Sequence, residues 1–298
     1  MCCWFCATIV FTSKAQQNVQ FTQYMFNGLV INPAYAGADE ALSLTFIHRS
    51  QWTGLDNAPV TQTLTAHTLI KEKKSGVGLT LVNDRVGIHK TLNALGSYAY
   101  HLPTGKQSYL SMGLQAGVRN VRNDYTSLMD GTTDPAAINA YTARTFFDFG
   151  AGIYFRSPRL HAGLSVPEIN TQRFYANDSV MKRFNPSNVL LYGKYRIPLS
   201  NQIALEPSTL LKYLKGLPLS YDLNLNLIYR EVLTMGLSYR AKESVDFILK
   251  ANVTRQLQFG YAYDHPIGPV ARVSNGSHEL MIQYVFRHLQ KNVESPRG

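Results

Sequence analysis

The residues able to do chemistry in this chain are spread out rather than gathered. Eight histidines are scattered between His48 and His288. None falls in an HxH or HExxH spacing, the patterns that bring two imidazoles onto one metal ion. No GxSxG elbow presents a serine to a base, and no Ser, His and Asp are marked out as a triad by position. Gly76 and Gly78, and Gly113 and Gly117, lack the strand-to-helix setting of a dinucleotide loop. Inside alternating segments they read as small residues facing an interior. The turn-rich stretch holding Asp130 and Asp134 has carboxylates for a cation but no EF-hand spacing. The pattern gives no support to an enzyme, a cofactor or a metal centre, and turns attention to surfaces that bind.

Three groups stand out as binding candidates. Asn32, Pro33, Tyr35 and Gly37 belong to the run NPAYAG. Pro33 fixes φ and has no N–H, Asn32 before it is pushed to extended geometry, and Gly37 tolerates positive φ. The run therefore predicts a rigid turn just ahead of the first strand. Arg49, Gln51 and Trp52 are expected at the first outer loop, either as a binding patch or as an aromatic anchor for a rim. Asp130, Asp134, Phe174 and Tyr175 fall in two long loops, at 121–143 and 167–186. Loops of that length usually carry function.

The elements that must position these residues are strands. The chain has 298 residues with only 16% charged and a net charge of +10. Its mean hydropathy is −0.14, and no apolar run reaches the length of a membrane helix. Lys and Arg are scattered, with KEKK at 71–74 the one dense cluster. That cluster reads as a solvated turn, so nucleic acid is not an expected partner. The three cysteines, Cys2, Cys3 and Cys6, all lie at the start, which leaves none for a disulfide in the body. Residues 1–15 have the apolar block and small-residue end of a secretory signal peptide.

Fourteen period-two stretches then fill 41–287. In 107–120, Leu110, Met112, Leu114, Ala116 and Val118 alternate with Ser111, Gly113, Gln115, Gly117 and Arg119. A soluble sandwich also alternates. Here, however, the stretches are mostly longer than soluble strands, one face is rich in Gly, Ser, Asn and Asp, and aromatics sit near strand ends. Loop length also alternates: the long loops at 51–59, 121–143, 167–186 and 264–276 fall on one side. The expected fold is all-β, a transmembrane up-and-down antiparallel β-barrel of outer-membrane type with about fourteen strands. Closure is what lets a sheet cross a bilayer, because every backbone donor must be paired. The expected organisation is a signal peptide (1–15), an N-terminal plug segment (16–40), the barrel (41–287) and a tail (288–298), with both termini periplasmic.

Specific stretches resemble the PorP/SprF family of Bacteroidota outer-membrane proteins. They are QYMFNGLVINPAYAG (23–37), HRSQWTGLDNAPVT (48–61), GVGLTLVNDRVG (76–87), YAYHLPTG (98–105) with LSMGLQAGVRN (110–120), and HELMIQYVF (278–286). Asn57-Ala58-Pro59 stands where the family commonly has Gly-Ala-Pro. The resemblance implies a non-catalytic barrel of the type IX secretion system. Its implied partners are secreted cargo or adhesins with C-terminal sorting domains, periplasmic ring and peptidoglycan-binding components, and outer-membrane lipid. The other reading is a channel for small or hydrophobic solutes, which needs an open lumen.

Overall fold

The computed structural model describes residues 19–70, 74–124, 141–176, 179–185, 188–214 and 217–286. Sixteen strand segments form one antiparallel sheet that closes on itself. They are β1 (Leu42–Ser50), β2 (Val60–Ile70), β3 (Ser75–Val86), β4 (His89–Gly105), β5 (Ser108–Asp124), β6 (Tyr141–Arg156), β7 (Leu160–Ala176) and β8 (Ser179–Asn185). There follow β9 (Val189–Tyr195), β10 (Ile197–Pro198), β11 (Ile203–Tyr213), β12 (Ser220–Tyr229), β13 (Leu233–Arg240), β14 (Ser244–Asn252), β15 (Leu257–Pro266) and β16 (Ser277–Phe286). β8, β9 and β10 share the place between β7 and β11, so the wall has fourteen staves. β1 pairs with β16, Leu42 opposite Phe286, and this closes the barrel. No helix is long and apolar enough to cross a membrane among the described residues.

Burial is inverted relative to a soluble protein. Large apolar side chains point outward, with Leu114 66% and Phe147 65% exposed, while Asp246 and Glu279 are fully buried. On β4 the outward apolar band runs from Leu92 to Leu102, roughly 25 Å along the membrane normal for a tilted strand. A lipid phase rewards this arrangement, since the apolar face meets hydrocarbon and the closed ladder pairs the backbone groups of neighbouring strands.

Two expected loops are shorter than the sequence suggests. Within 167–186, residues 167–176 continue β7 and 179–185 form its partner β8, with Phe174 opposite Met181 and Tyr175 opposite Val180. Phe174 and Tyr175 are thus strand residues, not loop residues. The stretch NTQRFYANDSVMKRFN is polar at most positions on both faces; strands paired beyond the apolar band show no lipid-facing alternation, so the period is invisible. Likewise β5 extends to Asp124 and β6 begins at Tyr141. Asp130 and Asp134 lie outside the described residues.

Candidate functional site

The site is the lumen. Residues 19–40 run through it as three short 3-10 turns, Tyr24–Phe26, Gly28–Val30 and Pro33–Tyr35. The turn chemistry of NPAYAG is as the sequence predicts. Asn32 is extended (φ −150°), its side chain accepts from Ala34 N, and Gly37 has φ +83°. A hydrogen bond from Asn32 Nδ2 to the Ile153 carbonyl (2.9 Å) fixes the turn to the wall.

The upper end is a latch. Consecutive backbone amides of Thr22 and Gln23 donate to the two carboxylate oxygens of Glu279, at 2.9 and 2.8 Å. Thr22 Oγ1 donates to Asp264 and accepts from Arg49 Nη1 at 2.8 Å. Arg49 also pairs with Asp264 (2.6 Å) and Glu279 (3.1 Å). Arg240 adds a second guanidinium, 3.6 Å from Asp264. These four wall residues sit at the long-loop ends of β1, β13, β15 and β16. Arg49 is 1% exposed, so it is not a loop residue beside Gln51 and Trp52. It occupies an inward position of β1, where strand alternation sends it into the lumen.

The lower end is a seat at the short-turn mouth. His101 Nε2 donates to the Ala36 carbonyl (2.9 Å), and Gly37 N donates to His67 Nδ1 (3.2 Å). Tyr35 OH donates to Asp39 (2.8 Å) and its ring meets Tyr154 edge-on. Burial pushes the Asp39 carboxyl up, but hydrogen bonds from the His67 imidazole and the Tyr35 hydroxyl outweigh it and hold the group well below the usual carboxylate range. Arg156 closes the seat with bonds to the Ala38 carbonyl (2.6 Å) and Glu40 (2.9 Å).

Between latch and seat lies a small apolar core. Tyr24, Met25, Ile31 and Ala34 pack against Tyr154, Leu190, Tyr192, Leu210 and Ile248, which point inward from four strands. Apolar residues facing a water-filled lumen would be costly, and here the segment covers them. The glycines complete the fit. A Cβ at Gly113 would overlap the Pro33 and Ala34 backbone, one at Gly76 the Ala36 carbonyl, one at Gly152 the Asn32 side chain, and one at Gly260 the Gln23 side chain. The inward glycines are the grooves in which the segment rests.

The segment therefore descends the whole lumen, from Thr22 beside the ends of β1 and β15 to Glu40 beside the end of β6. β16 stops at the lower mouth, where Phe286 faces Leu42. The described residues start at the long-loop mouth and stop at the short-turn mouth, and both termini, expected on the periplasmic side, lie outside the described residues.

Outside the lumen, loop 51–59 covers a cleft of about 600 Å³ lined by Gln51, Asn57, Gln62, Asn83 and Arg85, among others. Trp52 is exposed on the same loop. No metal-binding group of three or more His, Cys, Asp or Glu exists among the described residues. Of the sequence candidates, Asn32, Pro33, Tyr35 and Gly37 come together, Arg49 holds the same segment at its other end through Thr22, and Gln51 and Trp52 stay on the rim. Nothing local in the sequence marks Thr22, Glu279, Asp264, Arg240 or His101 as partners. The inward glycines are a sequence signal of something lying against the wall, as are inward apolar residues such as Tyr192 and Leu210.

A closed sheet with an apolar outside and a polar inside defines an outer-membrane β-barrel, here with its own N-terminal segment in the lumen. The chain belongs to the PorP/SprF family, described as type IX secretion system membrane proteins, whose sequence profile matches residues 13–284. No curated protein matches it in sequence. Among solved structures it is similar to the CymD monoaromatic hydrocarbon channel, at 13% identity over 88% of this chain and 93% of that one, with a TM-score of 0.53. It is also similar to Omp33 of Acinetobacter baumannii, at 11% identity over 83% and 98% of the two chains, with a TM-score of 0.49. At such identities the likeness concerns the fold alone.

Proposed function

We propose that the chain is a non-catalytic docking barrel of the type IX secretion system. The observation that carries this reading is the filled lumen. A segment anchored at both mouths and packed into inward glycines suits a rigid scaffold better than a solute path. On this reading the long-loop mouth faces the cell exterior, where loop 51–59 and the β7–β8 hairpin receive secreted cargo or adhesins with C-terminal sorting domains. The short-turn mouth faces the periplasmic ring and peptidoglycan-binding components. Gln51 and Trp52 stand on the receiving rim, and Asn32–Gly37 acts from within by holding the wall.

The test is a native pull-down from outer membranes solubilised in mild detergent, using a tag after Gly298. A large secreted protein with a sorting domain, or ring components, should co-purify in stoichiometric amounts. A partner-free barrel from cells that are actively secreting would overturn the docking reading and favour a solute channel.

A further inference from the structure

The outer wall carries a charged feature that the lumen does not explain. Arg85 lies opposite Lys90, and Lys90 opposite Arg122, in one cross-strand row over β3, β4 and β5. Paired residues share a face, and the inward positions of these strands hold Thr80, Asn93 and Gln115, so the row points to the lipid side. It stands one or two outward positions above the last apolar residue of each strand, Leu81, Leu92 and Val118. That is the depth of lipid headgroups at the long-loop mouth.

Like charges placed directly opposite destabilise a sheet pair, so three in a row require compensation. No ion pair to a carboxylate is made by any of the three among the described residues. Two acids stand near them on the strands: Asp84, which is bonded to Thr61 (2.6 Å) on the inward face, and Asp124, which ends β5 two residues past Arg122; Asp56 stands exposed on loop 51–59. The surroundings are polar and ordered. Arg122 Nε donates to Asn120 (2.8 Å), and Asn120 and Asn83 are tied sideways to Thr145 and Gln62. On the β2 side Arg85 opens into the cleft under loop 51–59. That loop is stiffened by left-handed residues at Trp52 and Asn57 and by a bond from Gly87 N to the Asn57 carbonyl (3.0 Å).

We propose that Arg85, Lys90 and Arg122, with the adjoining cleft, form a binding site for the phosphate-bearing headgroup of a membrane glycolipid. Guanidinium forks and an ammonium suit phosphate oxygens, and the outward aim at headgroup depth selects a lipid rather than a dissolved anion. The amides of Gln62 and Asn83 and the room in the cleft suit the sugar hydroxyls of such a headgroup.

The test uses the intact barrel in detergent, with bound lipid counted by native mass spectrometry. Diphosphorylated lipid A and neutral phosphatidylcholine are the two probes, and inorganic phosphate is the competitor. In the R85Q/K90Q/R122Q variant, lipid A affinity should fall about a hundredfold, as expected for three membrane-surface cations acting together, with phosphatidylcholine binding unchanged. The single variant K90Q, which disturbs the wall least, should lose about fivefold. Heat-modifiable migration on gels serves as the control for folding. Equal lipid A binding by K90Q and the unaltered barrel, or full competition by millimolar phosphate, would overturn the proposal.

Discussion

Arg49→Met is expected to release the upper end of the lumen segment and to cost about 3–5 kcal/mol of stability, the range for removing one partner of a buried ionic network. One guanidinium serves Thr22, Asp264 and Glu279 at 2.6–3.1 Å. Methionine fills a similar volume but leaves two buried carboxylates with Arg240 as their remaining cation nearby. Glu279 then loses the charge that balances it while it holds the Thr22 and Gln23 amides. Arg49→Lys should fall between the two, because an ammonium cannot reach three acceptors with the same fork geometry. Urea unfolding of the detergent-solubilised barrel, followed by gel migration, reads the difference. A midpoint for Arg49→Met equal to that of the parent would contradict the latch.

Gly113→Leu should unseat the lower turn without opening the barrel wall. The inward space at Gly113 is filled by the Pro33 and Ala34 backbone, so a leucine there and the turn cannot coexist. A cysteine placed at Ala34, which is fully buried, reports the outcome when Cys2, Cys3 and Cys6 are replaced. Its reaction with a water-soluble maleimide should speed up at least about tenfold in the leucine background, as a closed segment becomes an open one. Gly96→Ala is the control: Gly96 faces outward and a methyl there meets nothing closer than 3.8 Å. Equal protection of the thiol in all three backgrounds would mean that the turn does not rest on Gly113.

The staves were legible because lipid imposes a strict two-residue period wherever a strand crosses it, as in Leu110 to Val118. The same physics hid the β7–β8 hairpin, since beyond the bilayer neither face must be apolar. Strand ends at Asp124 and Tyr141 were missed for that reason too. Arg49, read next to Gln51 and Trp52, looks like a rim residue, yet it shares inward parity with Ser43, Thr45 and Ile47. The latch itself joins residues more than 200 positions apart, such as Thr22 and Glu279, and nothing local in a sequence marks such a pair. The turn at Asn32–Gly37 was readable, because proline and glycine constrain their own backbone. What it docks against was hinted at only by glycines and by inward apolar residues such as Tyr192 and Leu210, which would make little sense facing open water.

The central claim is that the N-terminal segment closes the lumen. Single-channel recording in planar bilayers tests it most directly, with the unaltered barrel compared with one lacking residues 32–37. The unaltered barrel should show no steady conductance, and the deletion should produce long-lived open currents from the same fold. Equal conductance from both proteins would contradict the claim, and the barrel would then be a channel whose N-terminal segment merely lines its path.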